Sequence, residues 1–319
     1  EVEAAVQVDR DVMIKMQTLL DQIESANGRF IAIGKDQYIA LTRQLRKQLQ
    51  GLSMSGQPVR KGGALRIHPL AAIALEQWKD EVGRFKADAA FNDWVERFRA
   101  IESYHAEIPS TLQATLRPYQ QDGFLWLARL AEWGAGGCLA DDMGLGKTIE
   151  ALALILHRAA RGPTLVVAPT SVCANWVNET GRFAPTLRPI RFGIDDRGRR
   201  GQVLGNVGPF DLVICSYTLL QQEAEAIRDV HFTTIVLDEA QAIKNAATKR
   251  SSAAMGLVGD FRMICTGTPI ENRLAELWNL FRFINPGLLG SEDRFRDRFV
   301  RPIEIDRDSS ARATLKALV

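Results

Sequence analysis

A glycine-rich loop followed by lysine and threonine is the feature of this sequence with the clearest chemical meaning. Residues 141–148 read Asp-Asp-Met-Gly-Leu-Gly-Lys-Thr, between an apolar strand-like stretch and an apolar helical pattern. Gly144 and Gly146 let the backbone turn its N–H groups inward, and a helix that begins there adds a partial positive charge. Lys147 is then placed for the terminal phosphates and Thr148 for a Mg²⁺ ion. The stretch predicts a nucleoside triphosphate site.

Two carboxylates end a second apolar stretch, much further along the chain. Residues 234–237 read Thr-Ile-Val-Leu and are followed by Asp238 and Glu239. In a parallel sheet, ligands bind outside the carboxyl ends of the strands, so Asp238 and Lys147 are predicted to meet at one crevice. We expect Asp238 to hold Mg²⁺, directly or through its second shell, and Glu239 to polarise the attacking water.

From residue 136 onward, apolar runs alternate with helical patterns. Strands are predicted at 136–140, 164–168, 189–192, 211–215, 234–237 and 261–265. Helices are predicted at 147–160, 172–182, 218–228, 246–258 and 272–284. Several strand candidates are continuously apolar, as expected where helices cover both faces of a parallel sheet. The alternation predicts a doubly wound α/β domain.

The first hundred residues have a different pattern, with helical stretches and one hairpin. Helices are predicted at 12–23, 41–49, 69–78 and 88–103, and the hairpin joins 30–33 to 37–40. Pro109 and Ser110 break the helical pattern, which places the best boundary nearby. We therefore expect a small, mostly helical α+β domain at 1–105 and a larger α/β domain at 106–319.

The composition is that of an ordinary globular protein. The 319 residues are 46% hydrophobic and 24% charged, with a net charge of +2 that does not by itself indicate a nucleic-acid partner. No apolar run approaches the roughly 20 residues of a membrane span, so no membrane association is expected. The four scattered cysteines predict reduced thiols in an intracellular protein. The chain starts at Glu1 rather than Met, which suggests a fragment or a processed product.

Seven segments in a fixed order resemble the motifs of the SWI/SNF-type ATPases, a branch of the superfamily-two helicases. They lie within about residues 116–300, at 116–127, 140–148, 167–176, 216–218, 238–245, 266–272 and 283–290. In this family an acidic residue replaces the first glycine of the phosphate-binding loop, as Asp141 does here. Gln241 stands where many members have histidine. Whether Gln241 contacts the second lobe of the family's motor, as that residue does, therefore remains open.

The resemblance implies a RecA-like P-loop lobe, with a central, mostly parallel sheet and helices on both faces. It also implies a DNA-dependent ATPase that uses ATP and Mg²⁺ to move along double-stranded DNA and remodel protein–DNA complexes. Arg117 and Gln120 are implied to contact the nucleotide, and the Gln120 amide can both donate to and accept from an adenine edge. Gly144, Leu145 and Gly146 are implied to hold the phosphates.

The DNA contacts implied by the resemblance are mostly to phosphates. The candidate residues are Pro169, Thr170, Ser171, Ser216, Tyr217, Thr266 and Thr268. Hydroxyls and helix N-terminal amides at 169–171 suit a DNA phosphate, although Thr170 and Ser171 can equally be read as helix caps. Gly-Thr-Pro at 267–269 can equally be read as a turn.

No segment resembles the second RecA-like lobe of the family, which supplies arginines that stabilise the transferring phosphoryl group. We therefore expect this chain alone to bind ATP weakly and to hydrolyse it slowly. Residues 1–105 resemble, more loosely, the accessory region of bacterial members. This suggests a location at the bacterial nucleoid in the cytoplasm, or in the nucleus if the host is a eukaryote. A protein roadblock or RNA polymerase is a candidate target.

Two other functions remain open from the sequence. One is a different motor on the same scaffold, either a strand-separating helicase or a restriction-type translocase. The other is a non-catalytic, ATP-gated binding module. The second is less favoured, because a decayed site would be expected to lose at least one of Lys147, Thr148, Asp238 and Glu239.

Overall fold

In the computed structural model, the chain divides into two compact units, Glu1–Glu102 with Pro286–Val319 and Ser103–Asn285. The structure describes residues 2–9, 12–15, 19, 30–34, 37–41, 56–58, 65–67, 70, 84–87, 89–142, 144–194, 197–267 and 273–319. This division groups residues 286–319 with the N-terminal unit, whereas the sequence placed them with the larger domain. The predicted division between residues 105 and 106 stays a prediction.

The unit formed by the two ends of the chain contains an antiparallel sheet and a separate hairpin. Its strands are β1 (Val2–Asp9), β2 (Val12–Lys15), β3 (Phe30–Gly34), β4 (Gln37–Ala40), β5 (Gly56–Pro58), β6 (Leu65–Ile67) and β7 (Arg84–Ala87). The sheet has the order β2-β1-β6-β5, with β7 also paired to β1, and β3 pairs with β4. The helices are α1 (Ala89–Glu102) and, after the second unit, α10 (Glu292–Phe295), α11 (Arg301–Glu304) and α12 (Ser309–Leu318).

The predictions for this part have mixed outcomes. The hairpin of β3 and β4 and the helix α1 are confirmed. The helix predicted at 12–23 is wrong for Val12–Lys15, which form an antiparallel pair with β1. The helices predicted at 41–49 and 69–78 lie almost wholly outside the described residues. Strands outnumber helices in the described part of residues 1–102, so the mostly helical character is not seen there.

The second unit is built on a six-stranded sheet in which every described strand pair is parallel. Its strands are β8 (Gly137–Leu139), β9 (Thr164–Ala168), β10 (Arg188–Arg191), β11 (Asp211–Ser216), β12 (His231–Asp238) and β13 (Val258–Cys265), in the order β10-β11-β9-β12-β13-β8. All six predicted strands are confirmed. Continuous apolar runs buried under helices account for the pattern, as in β9, where all five residues are buried.

The helices of this unit alternate with the strands, as predicted, although the helices Pro118–Trp133 and Arg197–Gly205 were not predicted from the sequence. They are α2 (Pro118–Trp133), α3 (Lys147–Arg158), α4 (Thr170–Phe183), α5 (Arg197–Gly205), α6 (Tyr217–Gln222), α7 (Ala224–Arg228), α8 (Lys249–Met255) and α9 (Leu274–Ile284). The helix predicted at 218–228 is divided into α6 and α7. The RecA-like α/β class of this part is confirmed. Among the described helices, none is long and apolar enough to cross a membrane.

The strand register brings the functional segments to one edge of the sheet. Asp238 at the end of β12 pairs with Cys265 at the end of β13, and Cys265 pairs with Leu139 at the end of β8. The loop after Leu139 and the chain after Asp238 therefore leave the sheet at the same edge. Ala151 to Ile155 of α3 have no exposed area, and their burial anchors the helix that starts at the loop.

Candidate functional site

The glycine-rich loop has the backbone conformation that its sequence predicts. Gly144 and Gly146 have φ angles of 84° and 87°, in the left-handed region that favours glycine, and α3 begins immediately afterwards at Lys147. The Lys147 Nζ donates to the carbonyl oxygens of Asp141 at 2.8 Å and Asp142 at 3.0 Å. The ammonium group thus lies against the loop, beside a helix N-terminus, which is a favourable position for an anion.

Gln120 is attached directly to this loop. Its side chain is buried, its Nε2 donates to the carbonyl of Leu145 at 3.0 Å, and its Oε1 accepts from the backbone N–H of Arg117 at 2.9 Å. Because an amide has two N–H donors and two lone pairs on oxygen, one of each remains for a ligand. Arg117 is exposed and stands just before α2.

The sequence did not identify Tyr119 as part of this contact. Its hydroxyl donates to the same Leu145 carbonyl at 2.7 Å. The available signal was its position beside Gln120 in the first of the seven segments.

The carboxylate of Asp238 is held by two hydrogen bonds. The indole N–H of Trp176 donates to Oδ2 at 2.8 Å, and the backbone N–H of Glu239 donates to Oδ1 at 2.9 Å. The hydroxyl of Tyr217 donates to the backbone carbonyl of Asp238 at 2.8 Å. Burial raises the pKa of Asp238, whereas the Trp176 hydrogen bond and the charge of Lys147 act to lower it.

Glu239 is linked to the end of the neighbouring strand through Gln241. The Gln241 Nε2 donates to Glu239 Oε2 at 2.7 Å, and its Oε1 accepts from the Thr266 hydroxyl at 3.1 Å. Glu239 has a φ of 49°, which is uncommon for a residue other than glycine. The amide of Gln241 therefore connects the predicted catalytic carboxylate with the residue that follows β13.

Glu150 is a second carboxylate near the loop, and it was not identified from the sequence. It has no exposed area, and neither carboxylate oxygen has a hydrogen-bond partner among the described residues. Burial raises its pKa to about 8, with Asp141 acting in the same direction and Lys147 opposing it. The available signal was an acidic residue inside the otherwise apolar run at 149–156.

The oxygen groups at this edge suit Mg²⁺. Thr148 offers a hydroxyl in the first turn of α3, and Asp238 offers a carboxylate whose oxygens each keep a further lone pair. No group of three His, Cys, Asp or Glu side chains suited to a metal is found in the described part of the chain. In nucleotide sites, Mg²⁺ is typically bound by one or two protein groups together with substrate phosphates.

The candidate DNA-contact residues lie in different environments. Thr170 and Ser171 are exposed within the first turn of α4, and Pro169 precedes that helix. No described side chain caps α4, so the reading of Thr170 and Ser171 as caps is wrong. Ser216 caps α6 by accepting from the backbone N–H of Leu219 at 3.2 Å.

The remaining candidates are less suited to direct contact. Tyr217 and Thr266 are buried, so their placement does not support a direct contact with DNA. Thr268 lies outside the described residues.

Comparisons with known proteins identify relatives of this chain. The model of the SNF2-related domain family matches residues 119–319. The chain is 36% identical over 321 residues to the putative ATP-dependent helicase/translocase YwqA of Bacillus subtilis, covering 94% of this chain. It is 36% identical over 257 residues to the chromatin-remodeling ATPase INO80 of Kluyveromyces lactis, covering 75% of this chain.

A solved structure supports the same relationship. The SWI2/SNF2 ATPase core of Sulfolobus solfataricus in complex with dsDNA aligns with a TM-score of 0.62 and 39% identity, over 68% of this chain and 45% of that one. The chain spans 34% of the length of the Bacillus subtilis relative and 17% of the Kluyveromyces lactis relative.

Proposed function

Because the chain belongs to the SNF2-related domain family, we propose that it forms the ATP-binding part of a DNA-dependent ATPase. In this proposal the complete protein translocates along double-stranded DNA and remodels protein–DNA complexes. The main support is one observation: the loop that carries Lys147 and the strand that ends at Asp238 meet at one edge of the sheet. The charge of Lys147 also acts on the pKa of Asp238.

We assign each residue of this edge a role in ATP hydrolysis. The N–H groups of the loop around Gly144 and Gly146 hold the phosphates, and Lys147 exchanges the loop carbonyls for terminal phosphate oxygens. Thr148 and Asp238 would hold Mg²⁺, which when bound neutralises charge on the phosphates. Glu239 polarises the attacking water.

Gln120 and Arg117 complete the nucleotide site in this proposal. The free donor and acceptor of the Gln120 amide pair with the adenine edge, and the Arg117 guanidinium contacts the nucleotide beside it. Tyr119 supports both by fixing the Leu145 carbonyl. A second RecA-like lobe would supply arginines to the transferring phosphoryl group.

Double-stranded DNA is the proposed partner. The Sulfolobus solfataricus core was solved in complex with dsDNA, and the exposed Thr170 and Ser171 at the start of α4 offer hydroxyls and N–H groups to a phosphate. Contacts of this kind tolerate any sequence and weaken with salt. A bound protein roadblock or RNA polymerase on the DNA is the finer proposal for the target, acting at the bacterial nucleoid or in a nucleus.

ATP turnover by the complete protein, with and without blunt double-stranded DNA, tests this function. We expect DNA to stimulate turnover, and we expect a tailed duplex to remain double-stranded during hydrolysis. Separation of that duplex would favour the strand-separating helicase instead. ATP binding without turnover in either condition would favour a non-catalytic, ATP-gated module.

A further inference from the structure

The hydrogen bond between Trp176 and Asp238 joins a core side chain to the proposed metal site. Trp176 lies in the second turn of α4 and is 1% exposed, so its ring is part of the hydrophobic core. Its indole N–H nevertheless donates to a residue outside this hydrophobic core, Asp238, with 2.8 Å between Nε1 and Oδ2. A buried indole N–H needs an acceptor, and here the acceptor is an ionisable carboxylate at the end of β12.

This hydrogen bond restricts the orientation of the carboxylate. The last torsion of an aspartate side chain is broad, so an isolated Asp238 would rotate its two oxygens easily. The indole holds Oδ2 while the Glu239 N–H holds Oδ1, which fixes the carboxylate plane. Each oxygen keeps a lone pair that can face a metal. Tyr217 fixes the backbone of the same residue through its carbonyl.

From this geometry we propose that Trp176 is a positioning residue for Mg²⁺ binding, which acts by orienting the Asp238 carboxylate. The proposal rests on the proposed function, because it assumes that Asp238 serves a magnesium–nucleotide complex. Partners that orient metal-binding groups in this way typically change metal affinity by roughly 10–100-fold when they are removed. Trp176 touches neither phosphate nor water in this role, so its effect passes through Asp238.

The test separates metal binding from nucleotide binding. In Trp176→Phe a smaller aromatic side chain remains, but the N–H donor is lost. We expect the Mg²⁺ concentration at half-saturation, measured by binding of a fluorescent ATP analogue, to rise roughly 10–100-fold. Binding of the same analogue without Mg²⁺ should be unchanged. Trp278→Phe is the matched control, because Trp278 is a buried tryptophan of α9 in the same unit.

Two further variants address damage to the core. Site-specific replacement of Trp176 by its benzothiophene analogue keeps the ring shape without the N–H, and it should reproduce the loss seen with Trp176→Phe. In an Asp238→Asn background, Trp176→Phe should have no further effect on the Mg²⁺ dependence, since both changes act through one carboxylate.

The outcomes distinguish the two proposals. If the wild-type protein fails to bind the analogue at all, the proposed function is wrong, and this inference is wrong with it. If the wild-type protein binds with normal Mg²⁺ dependence and the benzothiophene variant matches it, only the positioning role of Trp176 is wrong. If the Trp176 variants bind the analogue equally weakly with and without Mg²⁺, the positioning role of Trp176 is also wrong.

Discussion

The side-chain amide of Gln120 lies directly against Gly146, so that a Cβ on this glycine would be 2.6 Å from Gln120 Nε2. Gly144 has nearly the same φ, 84° against 87°, but a Cβ there would meet no atom within 4 Å among the described residues. Both glycines therefore need the left-handed backbone conformation, but only Gly146 has a side chain, that of Gln120, close to the position of a Cβ. Only Gly146 must lack a side chain for Gln120 to reach the Leu145 carbonyl.

This difference predicts a change in base selectivity. In Gly146→Ala the methyl group displaces the Gln120 amide, and we expect preference for ATP over GTP to fall by roughly tenfold, about 1.4 kcal/mol, as in Gln120→Ala. Gly144→Ala should weaken both nucleotides through backbone strain while keeping the preference. The preference is measured by letting unlabelled ATP or unlabelled GTP displace a fluorescent nucleotide analogue from each variant. Equal loss of preference in both glycine variants would contradict the role of Gln120.

Lys147 provides the second prediction. In the complete protein, Lys147→Ala removes the ammonium group from the loop, and we expect ATP affinity to fall at least tenfold and DNA-stimulated turnover to be lost. Lys249→Ala is the control, because Lys249 is an exposed lysine at the start of α8 in the same unit. DNA-stimulated turnover at the wild-type level in Lys147→Ala would mean that this loop is not the ATP site.

The start of α4 provides the third prediction. Thr170→Ala and Ser171→Ala each remove a hydroxyl from the proposed phosphate contact, and we expect a few-fold weaker binding of duplex DNA in each. The loss should be the same for duplexes of unrelated sequence, since phosphate contacts carry no direct sequence information. Fluorescence anisotropy at fixed salt measures it, with the exposed Thr186→Ala as the control. Unchanged binding by the double variant would exclude these two hydroxyls as DNA contacts.

Gly123 and Glu150 give a prediction for stability. A Cβ on Gly123, in the middle of α2, would collide with the buried Oε2 of Glu150. Alanine favours a helix by about 1 kcal/mol over glycine, whereas overpacking a closed site costs about 1–3 kcal/mol. We expect Gly123→Ala to destabilise the wild-type protein but to be neutral or stabilising in a Glu150→Ala background. The free energy of unfolding in urea measures both effects.

The control for this pair separates size from charge. Glu150→Gln keeps the size of the side chain and removes its ionisation, so Gly123→Ala should remain destabilising in that background. If Glu150→Gln relieves the cost as fully as Glu150→Ala does, the steric explanation is wrong.

The α/β part of the fold was predictable because its signals are local. Each strand is a short apolar run between turn residues, and β9 begins and ends at the predicted residues, 164 and 168. The loop was equally predictable, because its residue types and spacing already define the backbone it needs. The N-terminal strand β2 was not, because Val12–Lys15 is stabilised by pairing with β1 rather than by its own pattern.

The partners of the site residues were not predictable for a related reason. Trp176 and Asp238 are 62 positions apart, and they meet only because α4 follows β9, which lies beside β12 in the sheet. Glu150 interrupts the apolar run at 149–156, but the run alone does not show that its carboxylate is buried without a hydrogen-bond partner among the described residues. Such contacts depend on packing between elements, which the pattern of a single segment does not contain.

His157 gives a prediction for the pH dependence of stability. Burial, with Arg161 and Arg158 acting in the same direction, lowers the pKa of His157, and its Nε2 lies 3.0 Å from the Tyr104 hydroxyl. Below about pH 6.5 the unfolded chain therefore binds more protons at this site than the folded protein, and stability falls as the pH falls. In His157→Gln this contribution disappears. The free energy of unfolding in urea should therefore decrease less between pH 7.5 and pH 5.5 than it does in the wild-type protein. His105 is exposed, so His105→Gln should lose as much unfolding free energy over this pH range as the wild-type protein does. An equal loss in His157→Gln would contradict the assignment of this pH dependence to His157.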